Sequence, residues 1–126
     1  MGSNSHVETI KCGVLQGSVL GPLLFIVYTN DINRCLNLTK SILFADDTTF
    51  YLSSNNFTYL FTTMNNELLN LTDWLRANKL SLNISKTNYM LFTYHKQQDT
   101  NIDLQISNSN TQRAKCANFL GLYIDD

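Results

Sequence analysis

The sequence predicts an α+β domain, an antiparallel sheet with two packed helices, and three observations lead there. Apolar residues recur at helical spacing twice, as Leu20, Leu23, Leu24, Val27 and Tyr28, then as Leu60, Met64, Leu68, Leu71 and Leu75. Between those stretches, Ser41 to Leu52 is apolar and β-rich on either side of Asp46-Asp47, a strand–turn–strand pattern. After the second helix come short alternating runs, of which Ile102, Leu104 and Ile106 is the cleanest.

The first helix is expected to begin after Ser18, a good N-cap. Pro22 falls near its first turn, where a missing N–H costs little. It should end near Asn33, with a loop from Cys35 to Lys40. In the hairpin, Ile42, Leu43 and Phe44 suit a buried strand, and Thr48 to Leu52 supplies the return. The second helix is the clearest element, capped by Asn55 or Asn56 and ending around Asn78-Lys79. Its leucine stripe is expected to be core, and Trp74 core or hinge. Leu80, Leu82 and Ile84 alternate through an extended stretch. Tyr89 to Thr93 and Phe119 to Ile124 are further strand candidates, the latter the last strand of the chain. Helix, hairpin, helix and trailing strands are the split βαβ, ferredoxin-like order with its opening strand missing.

Composition supports one folded domain over residues 1–126: 44% of residues are hydrophobic and 15% charged, with a single proline and five glycines. No apolar run reaches membrane-spanning length, and Met1 to Cys12 lacks the pattern of a secretion signal, so an intracellular protein of the cytoplasm or nucleus is expected. Cys12, Cys35 and Cys116 form no C-x-x-C pair, and His6 and His95 are isolated, which argues against zinc. Asn-x-Ser/Thr sequons at Asn37, Asn56, Asn70 and Asn83 read as chance in so Asn-rich a chain. Net charge is −1 with a pI near 6.0, so a strong grip on nucleic acid by this chain alone is not expected.

Two constellations carry chemistry. Adjacent carboxylates at Asp46 and Asp47, between apolar strands, repel each other unless a cation or hydrogen bonds compensate. Magnesium supplies that compensation, and two-metal sites use carboxylates to clamp the oxygens of phosphoryl transfer. Taken alone, the dipeptide reads more simply as turn chemistry. The second constellation, residues 13–25, sets Gly13 and Gly17 on either side of Gln16 directly before a helix. Its backbone allows close approach of a ligand, and the helix start favours anions. An ordinary loop and helix start would look the same.

In this order the two resemble motifs B and C of reverse transcriptases: Gln16-Gly17-Ser18-Val19-Leu20-Gly21-Pro22-Leu23-Leu24-Phe25, then Phe44-Ala45-Asp46-Asp47. The resemblance is to those of non-LTR (LINE-type, jockey-like) retrotransposons. Trp74, Asn78, Lys79, Leu80, Leu82, Asn83, Lys86 and Thr87 resemble motif D. Phe119-Leu120-Gly121-Leu122-Tyr123-Ile124-Asp125 resembles the Leu-Gly strand that follows. The resemblance runs from Cys12 to Asp125. It implies a partial polymerase palm, its C-terminal part, with motif B at 13–25, motif C at 44–47, the motif D region at 74–87 and a trailing strand at 119–125.

The same resemblance implies roles. Asp46 would be a Mg2+ ligand, and Asp47 a second carboxylate of lesser weight. Phe44 and Ala45 would shape the hairpin beside primer end and nucleotide, and Gln16 and Gly17 would line the template and nucleotide pocket. Lys86 would assist departing pyrophosphate as general acid, although an exposed lysine in a turn would look identical. RNA template, DNA primer and dNTP would be partners of the full-length parent.

Two departures stand out. Leu15 occupies the proline position of the family's Gly-Val-Pro-Gln-Gly, which frees φ there. The motif A strand, with the first metal-binding aspartate, should lie upstream of Gly13, yet Met1 to Cys12 contains no aspartate. The expectation is therefore weak or absent metal binding, no polymerase activity from this chain alone, and self-association through an exposed sheet edge. The alternative is a non-catalytic binding or interaction remnant of a truncated mobile element. An unrelated ferredoxin-like RNA binder is disfavoured because no aromatic-rich stacking strand is present.

Overall fold

A computed structural model of the chain describes residues 17–94 and 103–125. The chain divides into two compact units, residues 1–30 and 31–126.

In the first unit, α1 spans Leu20–Thr29. Ser18 performs the expected capping, its hydroxyl oxygen accepting from the Gly21 N–H at 3.1 Å. The helix stops at Thr29, short of the expected Asn33, and the Thr29 hydroxyl donates back to the Phe25 carbonyl at 2.9 Å. Leu20, Leu23, Leu24, Ile26, Val27 and Tyr28 are all about half exposed or more. A helix apolar on every side is one built to be covered.

The second unit opens with a short 3-10 helix, Ile32–Cys35, where a loop was expected from Cys35 onward. The hairpin follows as β1 (Lys40–Phe44) and β2 (Asp47–Tyr51), with Phe44 opposite Asp47 and Lys40 opposite Tyr51. The turn is therefore Ala45-Asp46, one residue earlier than the Asp46-Asp47 turn expected from sequence, and Asp47 already belongs to β2.

Next comes α2, Phe57–Ala77. Asn56 caps it, its side-chain oxygen accepting from the Tyr59 N–H at 2.9 Å. The far end closes with a Schellman pattern: Lys79 N–H donates to the Arg76 carbonyl at 3.1 Å and Leu80 N–H to the Leu75 carbonyl at 2.9 Å. Lys79 takes the left-handed conformation this termination requires, with φ 53°. A second 3-10 helix, Ile84–Lys86, follows.

The core lies along α2. Leu71, 1% exposed, meets Ile32 and Ile106, while Phe50, Leu68, Trp74, Leu75, Leu82 and Ile84 pack around them. The leucine stripe is thus partly core, but the face α2 buries is rotated toward Phe61, Thr63, Glu67 and Leu71. At the helix start, the Phe57 and Phe61 rings lie 4.7 Å apart, and Tyr89 meets Phe61 edge-on at 6.2 Å.

The trailing strands are shorter than expected: β3 Asn88–Tyr89, β4 Gln105–Ile106, β5 Ser109–Asn110, β6 Gln112–Arg113, β7 Cys116–Phe119 and β8 Leu122–Asp125. Tyr89 to Thr93 is extended mainly at its first residue, and Ile102 lies outside the described residues. Phe119 to Ile124 is not one strand but a hairpin, turning at Leu120 and Gly121, whose φ angles of 51° and 83° match the twist of the flanking strands. Asn118 helps fix that turn, its side-chain oxygen accepting from the Gly121 N–H at 3.0 Å. Ser107 and Asn108, with φ 51° and 61°, turn β4 into β5 in the same way.

The α+β class therefore holds as a mixture of helices and small sheets. Among the described residues, four two-stranded ladders stand in place of one antiparallel sheet, β1–β2, β4–β5 and β7–β8 antiparallel and β3–β6 parallel. Two-residue strands offer too few ladder bonds to align their neighbours, and α2 takes over part of that work. The Asn65 side chain accepts from the Gln105 N–H at 2.9 Å and donates to the Asp103 carbonyl at 3.3 Å, while the Thr72 hydroxyl oxygen accepts from the Ser107 N–H at 3.3 Å.

Candidate functional site

A two-residue turn between paired strands is favoured when its backbone twists as the strands do, which requires positive φ in the connection. Glycine or asparagine takes that conformation cheaply. Here the residue is Ala45, at φ 52°. A side chain at positive φ costs about 1–2 kcal/mol, and such strain collects at functional sites. Its consequence is geometric: the turn presents Asp46 at the tip, with Asp47 starting the return strand opposite Phe44.

Both carboxylates are exposed, and Phe44 is 61% exposed beside them. Ile42, Leu43 and Tyr51 are also exposed, so the hairpin shows apolar side chains to solvent along much of its length. An acid pair at the end of an apolar ribbon has the oxygen donors a hard divalent cation prefers. Among the described residues, however, no three His, Cys, Asp or Glu side chains stand close enough together to hold a metal ion. The donors fit in kind but not in number.

The hairpin is anchored at its base. The Ser41 hydroxyl donates to the Asn33 side-chain oxygen on the first 3-10 helix. Phe50 enters the core beside Leu71. The third anchor is Glu67 of α2, only 4% exposed. Its Oε2 accepts from the backbone N–H groups of Asn37 at 2.8 Å, Leu38 at 3.2 Å and Thr39 at 3.2 Å, and its Oε1 from the Asn37 side-chain amide at 3.4 Å. Burial alone would push this carboxyl up. The donors from Thr39, Asn37 and Leu38 outweigh that effect and hold it below the ordinary glutamate range.

Glu67 was missed by the sequence reading, which placed polar residues opposite the leucine stripe. A signal was present: Leu60, Met64, Glu67 and Leu71 follow helical spacing, so Glu67 stands within an apolar seam. A glutamate there is rarely buried without partners.

The remaining expected residues are placed as follows. Gln16 lies outside the described residues. Gly17, the first described residue, has φ 84° and an exposed backbone, with open space where a side chain would begin. Lys86 is exposed at the end of the second 3-10 helix, where its N–H donates to the Asn83 carbonyl at 3.1 Å. No hydrogen bond or ion pair joins Lys86 to Asp46 or Asp47 among the described residues. The structure thus unites Phe44, Ala45, Asp46 and Asp47 at one hairpin tip, with no bond to Lys86 among the described residues.

A family model described as reverse transcriptase (RNA-dependent DNA polymerase) matches residues 1–124. The chain is 30% identical over 131 residues to a probable RNA-directed DNA polymerase from transposon BS of Drosophila melanogaster, covering 98% of the chain. It is 29% identical over 135 residues to a probable RNA-directed DNA polymerase from the transposon X-element of the same organism, covering 96% of the chain. The chain spans 14% of the length of each of these relatives. No solved structure matches it significantly.

Proposed function

The chain belongs to the reverse transcriptase (RNA-dependent DNA polymerase) family, and from that membership we propose that it is the motif B to motif E part of the palm of a LINE-type retrotransposon polymerase. The observation that carries this reading is the strained turn at Ala45, which holds Asp46 and Asp47 exposed at the tip of an apolar hairpin. The parent protein would copy RNA into DNA, with template, primer and dNTP as its partners. In a ferredoxin-like palm this hairpin would sit beside a further strand, to which the edges of the β1–β2 ladder, unpaired among the described residues, are suited.

Asp46 would supply the principal oxygen ligand to Mg2+, and Asp47 a second, lesser one. When bound, divalent cations neutralise charge on the triphosphate and favour the attacking primer hydroxyl. Phe44 and Ala45 would bound the nucleotide side of the turn, Gln16 and Gly17 would face template and nucleotide, and Lys86 would donate a proton to pyrophosphate. Glu8 and Asp31 are the acidic residues before Asp46 in the sequence, and Met1 to Cys12 carries no aspartate. Residues 1–126 alone are therefore proposed not to polymerise.

Primer extension on an oligonucleotide-primed RNA template tests both halves. In the full-length parent polymerase, Asp46→Asn is expected to lower incorporation by roughly a thousandfold, the scale on which a lost transition-state charge interaction is felt. The isolated chain is expected to incorporate nothing above background. Near-normal extension by the Asp46→Asn enzyme would remove the reading.

A second reading, a non-catalytic interaction segment, is favoured by the exposed apolar side chains of α1 and of the β1–β2 hairpin. It predicts self-association that rises with concentration. Sedimentation equilibrium checks it, and a monomer across the full concentration range would dismiss it.

A further inference from the structure

We propose that Glu67 is a positioning residue for the acid hairpin: its buried carboxylate fixes the base of β1 against α2 and so sets where Asp46 is held. The inference rests on the reading of that hairpin as the metal-carrying turn. It begins from a group that the proposed chemistry does not use. Glu67 is a buried carboxylate that, among the described residues, has no cationic partner and is compensated by hydrogen bonds from one loop. Three consecutive N–H groups converging on one oxygen form an anion-binding nest, here filled by a side chain of the same protein.

The nest lies at a mechanically sensitive place. Asn37, Leu38 and Thr39 directly precede Lys40, the first residue of β1, and β1 runs without interruption to Phe44 and the Ala45-Asp46 turn. Five strand residues make a lever of about 17 Å. A tilt of about 5° at its base moves the tip by about 1.5 Å, and a misplacement of that size is enough to cost about a hundredfold in rate. The lever has little stiffness of its own, because an isolated two-stranded ladder is marginal. Its other anchors, Ser41 to Asn33 and Phe50 to the core, grip the neighbouring cross-strand pair, and the Glu67 loop fixes the chain entering the strand just before them.

Among the described residues, no other acid hydrogen-bonds to the Glu67 carboxylate. The loop offers Asn37, Leu38 and Thr39, none of them ionisable. The first 3-10 helix offers Cys35, whose thiol is pushed up by burial and, after an opposing backbone hydrogen bond, by the charges of Glu67 and Asp31. Cys35 therefore stays neutral through the range in which Glu67 changes charge. Because the Glu67 carboxyl is held low, the nest persists above the ordinary glutamate range and is lost as pH falls through that lowered value.

Residual dipolar couplings of the full 126-residue chain read the hairpin's orientation directly. In the native protein near neutral pH, amides of β1, β2 and α2 are expected to fit one alignment tensor. In Glu67→Gln, which keeps size and loses charge, the α2 couplings should still fit while the hairpin couplings depart from that tensor. Acidifying the native protein should reproduce the departure, and Glu67→Gln should no longer respond to that acidification. The proposal is overturned if hairpin and helix keep one tensor in Glu67→Gln and only the amides of residues 37–39 shift, or if α2 loses its own tensor along with the hairpin.

Primer extension separates this from the underlying functional reading. In the full-length polymerase, Glu67→Gln should lower kcat between about 10- and 100-fold with dNTP KM little changed, as a displaced ligand would. An Asp46→Asn enzyme that still extends would sink the functional reading, however Glu67 behaves. An inactive Asp46→Asn enzyme beside a fully active Glu67→Gln enzyme would sink this proposal alone.

Discussion

Replacing Ala45 by glycine should stabilise the protein, although glycine usually does the opposite. Ala45 holds φ 52°, where its Cβ crowds the following carbonyl at a cost of about 1–2 kcal/mol. Glycine removes that crowding but brings greater freedom to the unfolded chain, worth roughly 0.5–1 kcal/mol against it. The crowding is the larger effect, so a net gain of about 0.5–1 kcal/mol is expected. Ala77, the exposed last residue of α2, provides the opposite sign: glycine there should cost a few tenths to about 1 kcal/mol. Urea unfolding followed by Trp74 fluorescence suits both variants, because Trp74 packs against the Leu71 core. The midpoint should rise for Ala45→Gly and fall for Ala77→Gly, with the slope unchanged. If both variants lose stability equally, Ala45 is not in the left-handed region and the strained-tip argument fails.

Other perturbations follow from the same contacts. Leu71→Ala should cost about 2–5 kcal/mol in chemical denaturation, because Leu71 is 1% exposed between Ile32 and Ile106; a loss under half a unit would mean it is not core. Asn56→Ala should cost about 1 kcal/mol by freeing the Tyr59 N–H, with Asn55→Ala nearly silent in the same assay. Unfolding midpoints measured against pH should show the Glu67 contribution in full above the ordinary glutamate range of about 4.3 and fading as pH drops below it, with the acid loss reduced in Glu67→Gln.

Much of this was legible in the chain. The α2 stripe and its Asn56 cap depend on spacing and local chemistry, and both survive folding. The apolar hairpin was legible too, although its turn was read one residue late: Asp-Asp has the commoner turn chemistry, whereas strand pairing puts Ala45 and Asp46 in the connection. At Leu120-Gly121 the glycine was visible, but a left-handed leucine before it is not a signal that propensity supplies, so one strand was expected where two occur. The partners of α2's polar residues were illegible for a different reason. Glu67, Asn65 and Thr72 read as a solvated face, and each instead bonds to backbone between 28 and 40 positions away in the sequence. Such pairings depend on tertiary contact and leave no mark at short range. The single sheet expected from element order is likewise a statement about neighbours, and the ladders formed here are short and separate.

The proposal underlying the functional reading is that the Ala45-Asp46-Asp47 tip offers carboxylate ligands to a divalent cation, weakly in this chain alone. Titrating the chain with Mn2+ and following amide signals tests it most directly, since paramagnetic broadening marks where the ion sits. Broadening should begin at residues 44–48, be displaced by excess Mg2+, and vanish from that turn in Asp46→Asn while α2 remains sharp. Broadening that starts elsewhere, or that persists at the turn in Asp46→Asn, would contradict it.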